Sequence, residues 1–130
     1  GGRWRRICAL PAFWVGLLYD DAALDQAEEL TRDWSIEEVE AMRDAVPAEG
    51  LDTLFRNRTL NDVAREVLEI SRLGLANRKR LNHEGYDETG FLAPLEEAVA
   101  RGTTSAQEML RAFHTRWGGS IEPVFLEYAY

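Results

Sequence analysis

The sequence predicts an all-α protein of about six helices, and three observations support this class. Apolar residues recur at three- and four-residue spacing along most of the chain, which is the period of one helix face. Capping-box patterns, in which a serine or threonine precedes a glutamate or glutamine by three residues, stand before two of these stretches. No segment shows the strict alternation of a half-buried strand, and no repeat recurs at a fixed period. We therefore expect residues 1–130 to form a single helical region.

The first two predicted helices differ in how their apolar residues are distributed. Pro11 stands where the first turn of a helix tolerates proline, and residues 12–19 are apolar on every side. We therefore expect this first helix to be buried all round. The second helix, over residues 22–33 with Asp20 or Asp21 as its cap, is amphipathic. Its apolar face consists of Ala23, Ala27, Leu30 and Trp34.

A third helix is predicted after the capping box that Ser35 and Glu38 can form. We expect Pro47 and Gly50 to end it, because both residue types interrupt helices. Residues 48–58 show no clear period and are predicted to be a loop. The helix carries the apolar residues Val39, Met42 and Val46. The loop is expected to be fixed to the core by Leu51, Leu54 and Phe55.

The longest predicted helix begins at Thr59 and carries an apolar stripe as far as Leu75. Gly74 lies inside it and costs about 1 kcal/mol relative to alanine, which predicts a close helix contact or a local weakening at that point. The basic run over residues 78–80 lies near the C-terminal end, where the helix dipole favours positive charge. We prefer that explanation of the run to a phosphate-binding site.

Two more helices complete the prediction. One starts at Pro94 and stops at Gly102, and the other follows a capping box formed by Thr104 with Gln107 or by Ser105 with Glu108. Glycines 118 and 119 end the last helix, and residues 121–130 form an apolar tail. Because both ends of the chain are unusually apolar, we expect both to dock on something. The apolar face of the last helix consists of Ala106, Met109, Leu110, Phe113 and Trp117.

Charge, hydropathy and cysteine content argue against several classes of protein. The net charge of −8 argues against general nucleic-acid binding, because a phosphate backbone would be repelled overall. The longest apolar run, residues 7–19, is shorter than the roughly twenty residues that span a bilayer, so we expect no membrane segment and no targeting segment here. The single cysteine, Cys8, cannot form an internal disulfide, and the expected compartment is the cytoplasm.

Few side chains suggest catalytic chemistry. No nucleotide-binding glycine loop and no zinc-spaced set of cysteines and histidines is present. His83 and His114 are expected to be isolated surface histidines, and Cys8, in its apolar context, a buried structural thiol. Acidic pairs such as those at 20–21, 28–29 and 37–38 could hold magnesium, but helix starts and solvent faces are where acidic residues are expected.

The strongest candidate for ligand binding is the basic opening segment, in which Arg3, Arg5 and Arg6 are interleaved with Trp4. Guanidinium groups bind carboxylates and phosphates through two-point contacts. Lys79 is the only lysine, so every other basic residue is arginine, although genomic base composition explains that bias equally well. The segment therefore predicts an anion-binding site.

The chain resembles the C-terminal portion of glutamate–cysteine ligase, of the type shared by plants and alphaproteobacteria. The resemblance covers essentially the whole chain, in order and with few gaps. Its most specific elements are the LPAFWVGLLYD run within the opening segment and the closing WGGSIEPVFLEYAY. Shorter matches lie between them, at residues 33–34, 46–51, 74–78 and 91–95.

This resemblance implies an enzyme that joins the side-chain carboxyl of glutamate to the amine of cysteine, the first step of glutathione synthesis. ATP would phosphorylate the glutamate side chain, cysteine would attack the acyl phosphate, and Mg²⁺ would neutralise phosphate charge. The catalytic unit of such ligases resembles glutamine synthetase, with ATP, metal and glutamate on an antiparallel sheet. The chain would then be the helical C-terminal region of a larger α+β ligase, inactive alone and binding no cofactor itself.

The resemblance also implies roles for individual residues. Arg6 matches an arginine of the family motif and is expected to face a substrate carboxylate or phosphate, whereas Arg3 and Arg5 are weaker substrate-binding candidates. Cys8 matches a position that forms a redox-regulating disulfide in plant members, with a partner that would come from the upstream part. Metal and nucleotide ligands are expected upstream as well.

Two further expectations follow. If the upstream sheet is missing, Phe13, Trp14 and Leu17 lose neighbours, and the isolated piece is expected to cover that surface by self-association or rearrangement. The alternative to a ligase fragment is a free-standing helical interaction module that uses its apolar ends to bind a partner. A start codon immediately before Gly1 would favour the module.

Overall fold

The computed structural model describes residues 4–128, and side chains from residue 6 onward. The helical class is confirmed, and the six predicted helices are all present as α2 to α7, with a single-turn helix before them and a short helix after them. The α-helices are α1 (Trp4–Ile7), α2 (Ala9–Leu18), α3 (Asp21–Thr31), α4 (Ile36–Glu49), α5 (Leu60–Arg78), α6 (Ala93–Arg101), α7 (Ser105–His114) and α8 (Glu122–Glu127). Two 3-10 turns cover Gly50–Asp52 and Glu88–Leu92.

Helices α2 and α5 pack against each other at the centre of the fold, and glycines make this approach possible. A Cβ added to Gly74 would lie 1.8 Å from the carbonyl oxygen of Gly16, and one added to Gly16 would lie 2.2 Å from that of Ser71. Ser71, fully buried, donates from Oγ to the carbonyl oxygen of Phe13 at 2.8 Å. The close helix contact that Gly74 predicts is therefore present, and its partner is α2.

The hydrophobic core lies on both sides of this helix crossing. The larger cluster joins α2, α5 and α6 to the 3-10 turn before α6, and the smaller one joins α2, α3 and α5. The apolar stripe predicted for α5 therefore serves both clusters. The buried residues are Ala12, Leu68, Leu75, Leu92 and Val99 in the first cluster and Leu17, Ala23 and Ile70 in the second.

Helix α2 is not buried all round, which corrects the expectation from its sequence. Its inner face is buried, through Ala9, Ala12 and Leu17, whereas Trp14 and Leu18 on the opposite side are about half exposed, at 51% and 52%. The physical reason is that α5 and α3 cover only one side of the helix. Within residues 4–128, no helix combines the length and apolar character that crossing a membrane would require.

A short hairpin replaces part of the loop predicted over residues 48–58. Strands β1 (Leu54–Phe55) and β2 (Arg58–Thr59) pair antiparallel, with Phe55 opposite Arg58. The two residues between them, Arg56 and Asn57, both have positive φ, at 50° and 63°, as a tight hairpin turn with right-handed strand twist requires. Phe55 is buried, as expected, and its ring meets that of Trp34 edge to face at 4.7 Å. Leu54 is 71% exposed, so the expectation that it packs on the core is wrong: successive side chains of a strand point to opposite faces.

Helix α4 also departs from its predicted end. It continues through Pro47 to Glu49, and Gly50 ends it with a φ of 60°. A proline this close to the end removes only one hydrogen bond from the last turn, so the helix tolerates it. The predicted capping box is confirmed: Ser35 Oγ accepts from Glu38 N, and a Glu38 carboxylate oxygen accepts from Ser35 N at 2.9 Å.

After α7 the chain turns back on itself, so that α8 contacts the side chain of Trp117. This side chain is buried, and its Nε1 donates to Glu127 of α8 at 2.9 Å. Helix α7 ends at His114, four residues before Gly118, so the prediction that the two glycines end it and that Trp117 lies on its apolar face is wrong. Gly118 and Gly119, both with positive φ, lie in the turn that follows. The side chains of Phe125 and Leu126 nevertheless remain 71% and 84% exposed, so the apolar tail is only partly covered by the residues described.

An ion pair between Arg56 and Glu38 joins the hairpin to the start of α4 and makes the stability of the fold depend on pH. Arg56 Nε donates to a Glu38 carboxylate oxygen at 2.8 Å, and this bond, with the one from the Ser35 amide, holds the pKa of Glu38 below its ordinary value of 4.5. A carboxylate with a lowered pKa in the folded state contributes stability above its unfolded pKa, and that contribution is lost as the pH falls below it.

We therefore expect the midpoint temperature of unfolding to fall as the pH is lowered through about 4.5, and the Glu38→Gln variant to show a weaker fall. Circular dichroism melts between about pH 6 and pH 3 would measure this. The pKa values of Asp62 and Asp87 are also lowered, mainly by hydrogen bonds from Thr59 and Thr89, so some acid dependence persists in the variant. Identical pH profiles for the two proteins would contradict the role of the ion pair.

Candidate functional site

Of the predicted anion-binding arginines, Arg5 and Arg6 belong to α1, which leads almost without interruption into α2. Cys8 between the two helices has helical dihedral angles, and its carbonyl oxygen accepts from Ala12 N at 3.0 Å. Arg3 and the side chain of Arg5 lie outside the described residues. Of the predicted substrate-binding set, the structure therefore describes the side chain of Arg6 alone, and that side chain is exposed.

Arg6 reaches across the fold to the first turn of α7. Its Nη1 donates to Ser105 Oγ at 2.5 Å, a contact between residues ninety-nine positions apart. Thr104 is the cap of α7: its Oγ1 accepts from Gln107 N at 3.2 Å, and Gln107 Oε1 accepts from Thr104 N at 2.9 Å. Because Thr104 and not Ser105 closes this capping box, the Ser105 hydroxyl is free to accept from Arg6.

The position of Arg6 does not serve the stability of α7. A helix N-terminus carries partial positive charge, which disfavours a nearby cation and favours an anion. A guanidinium has several N–H donors in a fixed fork, and the Ser105 hydroxyl engages one of its nitrogens. An exposed guanidinium beside a helix N-terminus is thus an arrangement that suits a carboxylate or phosphate.

An apolar groove lies beside this contact, between α2, α5 and α6. Its volume is about 300 Å³, and it is open to solvent. Its walls are almost wholly apolar, and Thr103 and Thr104, next to Ser105 in the chain, line it together with Leu10 of α2. Such a surface accepts apolar side chains but supplies no acid, base or nucleophile. The other lining residues are Phe13, Leu51, Ala64, Val67, Leu68, Leu95, Ala98 and Val99.

Cys8 is exposed, so the expectation of a buried structural thiol is wrong. The expectation rested on the apolar residues around Cys8 in the sequence. Those neighbours, Ile7 and Leu10, are themselves 50% and 56% exposed, and therefore do not enclose the thiol.

The two histidines lie on the surface, as predicted. His83 is beside Glu84, with Nε2 3.8 Å from a carboxylate oxygen and a side chain that is 88% exposed. His114 is exposed at the end of α7, where its ring meets that of Phe113 edge to face at 5.2 Å. Neither arrangement resembles a general base held against a reacting group.

The basic run after α5 has a structural role. Arg78 donates from Nε to Glu88 at 3.0 Å, and its guanidinium lies 5.7 Å from the ring centroid of Tyr19. Lys79 takes the left-handed conformation that ends α5. The sequence thus places Arg78 correctly at the helix end, and the structure adds an ion pair that joins α5 to the following 3-10 turn.

The part of the chain that the structure describes contains no group of three or more histidine, cysteine, aspartate or glutamate side chains arranged to hold a metal ion. Several acidic residues instead cap helices or form ion pairs. Asp20 accepts from Ala23 N at 3.0 Å as the cap of α3, and Glu66 pairs with Arg58 at 2.6 Å. Both contacts fit the solvent-face and helix-start positions that the sequence predicts for acidic residues.

The family model and the individual relatives that match this chain are all glutamate–cysteine ligases. Residues 1–127 match the family model described as Glutamate-cysteine ligase family 2 (GCS2). The chain is 47% identical over all 130 residues to the chloroplastic glutamate–cysteine ligase of Nicotiana tabacum and 48% identical to that of Arabidopsis thaliana. It is 45% identical to chloroplastic glutamate–cysteine ligase A of Oryza sativa subsp. indica. The chain spans about a quarter of the length of these relatives, 24% to 25%.

The names of these relatives contradict the prediction of a cytoplasmic protein. All three are chloroplastic enzymes. The prediction rested on the single cysteine, and a reduced thiol does not distinguish one reducing compartment from another.

Proposed function

The chain belongs to glutamate–cysteine ligase family 2, and we propose that it is the helical C-terminal part of a ligase that joins the side-chain carboxyl of glutamate to the amine of cysteine. The observation that carries this proposal is identity of 45% to 48% over the whole chain with enzymes of that name. Because the match covers only about a quarter of each relative, the complete reaction is proposed for a longer ligase chain that includes these residues.

The proposed reaction has two steps, with ATP and Mg²⁺ as cofactors of the longer chain. The glutamate side-chain carboxylate takes the terminal phosphoryl group of ATP, and the amine of cysteine then displaces phosphate to form the amide bond. Within residues 4–128, no three metal-ligating side chains come together. We propose that the ligands of the metal and the nucleotide lie in the remainder of the ligase.

This helical part would contribute a support and one charged group. Helix α1 leads into α2, which packs against α5, and the bond to Ser105 directs the Arg6 guanidinium along the first turn of α7. We propose that Arg6 contacts a carboxylate or phosphate of the bound substrates. Arg5 and Arg3 stay weaker substrate-binding proposals, because their side chains lie outside the described residues.

The Arg6 role predicts a loss of catalysis that is separate from any loss of structure. We expect Arg6→Ala in the longer ligase chain to lower kcat/KM for one substrate about tenfold or more, the effect of losing one charge-assisted contact. Arg6→Lys should recover part of this loss, because it restores the charge but not the two-point geometry. Steady-state kinetics with glutamate, cysteine and ATP varied in turn would identify the substrate concerned.

Ser105→Ala is the matched control for this experiment. It removes the acceptor of Arg6 but leaves the guanidinium and the Thr104 cap of α7 in place. A purely structural role for Arg6 predicts equal losses in Arg6→Ala and Ser105→Ala, and that result would overturn the substrate contact.

The reaction itself is tested by its products. The longer ligase chain, supplied with glutamate, cysteine and ATP, is expected to form γ-glutamylcysteine, ADP and phosphate in equal amounts, as quantified by liquid chromatography. Omission of either amino acid should abolish product. Failure to form the dipeptide at saturating concentrations of all three substrates would refute the proposed function.

A further inference from the structure

One side of α1 and α2 is apolar yet uncovered. This side, which we term the outer face, consists of Ile7, Leu10, Pro11, Trp14 and Leu18, which recur at the spacing of a single helix face. The four larger aliphatic and aromatic residues among them are between 50% and 56% exposed. No charged or hydrogen-bonding side chain stands among the five apart from the indole of Trp14.

Helix α3 shows what a solvent face of this protein looks like. It follows α2 directly, and its exposed positions include Asp21, Asp25, Glu28 and Glu29. The exposed side of α3 is thus charged, whereas the exposed side of the neighbouring helix α2 is apolar. A helix that is wet on one side normally carries charged residues there, so the outer face has the composition of a surface that another structure covers.

The outer face continues into the apolar groove. Leu10 belongs to both, and from it the groove extends across α5 to Leu95 and Val99 of α6. The uncovered apolar surface therefore extends from α1 across α2, α5 and α6. Arg6 lies at its edge, through its contact with Ser105.

We propose that the outer face and the adjoining groove form the surface on which the remainder of the ligase chain packs. The inference rests on the proposed function, since the relatives contain about three quarters of their length beyond the part matched here. A second copy of this chain is the competing occupant, and the experiments below distinguish the two.

The test compares the same substitutions in two contexts. In the 130-residue chain, the double variant Trp14→Gln with Leu18→Gln should lower the midpoint temperature by about 2 °C or less, because about half of each side chain is already exposed. In the longer ligase chain the same variant should lower it by about 5 °C or more, because polar groups would be buried there. Equal shifts in the two contexts would overturn the proposal.

Two further variants serve as a control and as a milder substitution for the comparison between the 130-residue chain and the longer ligase chain. Asp25→Asn with Glu28→Gln on α3 is the matched control and should have little effect in either context, since both side chains are exposed. Leu18→Ala alone is a milder change for use if the double variant of the longer chain does not fold. It should destabilise the longer chain and not the 130-residue chain.

Sedimentation of the 130-residue chain measures whether a second copy of the chain binds the outer face instead. A dimer that dissociates in the double variant, together with equal thermal shifts in the two contexts, would assign the outer face to a second copy and overturn the proposal. Activity of the unsubstituted longer chain is measured separately. An active ligase with equal thermal shifts refutes this inference alone, whereas an inactive one refutes the proposed function.

Discussion

Replacement of Gly74 by alanine is expected to lower the free energy of unfolding by about 3 kcal/mol, the upper part of the usual range for overpacking. The added Cβ would lie 1.8 Å from the carbonyl oxygen of Gly16 and 3.0 Å from the Cβ of Ala23. A backbone oxygen cannot move aside unless α2 and α5 separate. Alanine is favoured over glycine in a helix by only about 1 kcal/mol, so the clash outweighs the gain in helix propensity.

Gly90→Ala is the matched control for this substitution. Gly90 has no positive φ, and a Cβ added there would meet no atom within 4 Å. We expect the free energy of unfolding of the Gly90→Ala variant to stay within about 0.5 kcal/mol of that of the unsubstituted chain. Urea titrations followed by circular dichroism would measure both variants. Equal stability of the two would show that α2 and α5 do not approach as closely as described.

Truncation of Leu75 to alanine is the second large effect that we expect, at about 3 kcal/mol. Leu75 is fully buried in the larger core cluster, between Leu68 and Leu92. The loss combines the transfer of its methyl and methylene groups from the core with the cavity that they leave. The same urea titration would measure it, as a lower midpoint with an unchanged slope.

Leu73→Ala provides the comparison within the same helix. Its side chain is 41% exposed, and the change in helix propensity is the same as at Leu75, so only the difference in burial separates the two variants. We expect it to cost about 1 kcal/mol or less. A Leu75→Ala variant no less stable than Leu73→Ala would contradict the placement of the core.

The helices were predictable because their signals are local. The serine and glutamate of the box before α4, and the threonine that caps α5, lie within one turn of the helices that they start, so sequence spacing alone identifies them. Gly74 also gave a correct prediction, since an unfavourable residue within a long helix indicates a compensating contact.

The hairpin was not predictable in the same way. Each of its strands contains two residues, which is too short for an alternating pattern to be visible. Asn57 is the only conventional signal for its turn, and the turn is further held by bonds from Arg56 to Glu38 and to the carbonyl oxygen of Asp33. These bonds join residues about twenty positions apart, so no local pattern contains them.

The candidate site was predictable in part. The basic opening segment indicated Arg6, but the contact with Ser105 depends on how α1 and α7 pack. The sequence allowed Thr104 or Ser105 to cap α7, and the choice of Thr104 is what frees the Ser105 hydroxyl. The exposure of Cys8 and Trp14 was missed for a related reason: an all-apolar sequence indicates that a helix is to be covered, but not by which part of the chain.

Of Phe13, Trp14 and Leu17, which were expected to lose neighbours together, only Trp14 is about half exposed. Leu17 is 5% exposed and packs in the cluster that contains Ala23 and Ile70, and Phe13 is partly covered by both core clusters. The uncovered surface is therefore shifted around the helix from its predicted position, toward Leu10 and Leu18.

We propose that these 130 residues are one part of a ligase and contribute to its reaction only together with the rest of that chain. Release of ADP that depends on both glutamate and cysteine tests this most directly. We expect none from the 130-residue chain alone, and steady release from the longer ligase chain that stops when cysteine is omitted. Cysteine-dependent turnover by the 130-residue chain alone would contradict the account.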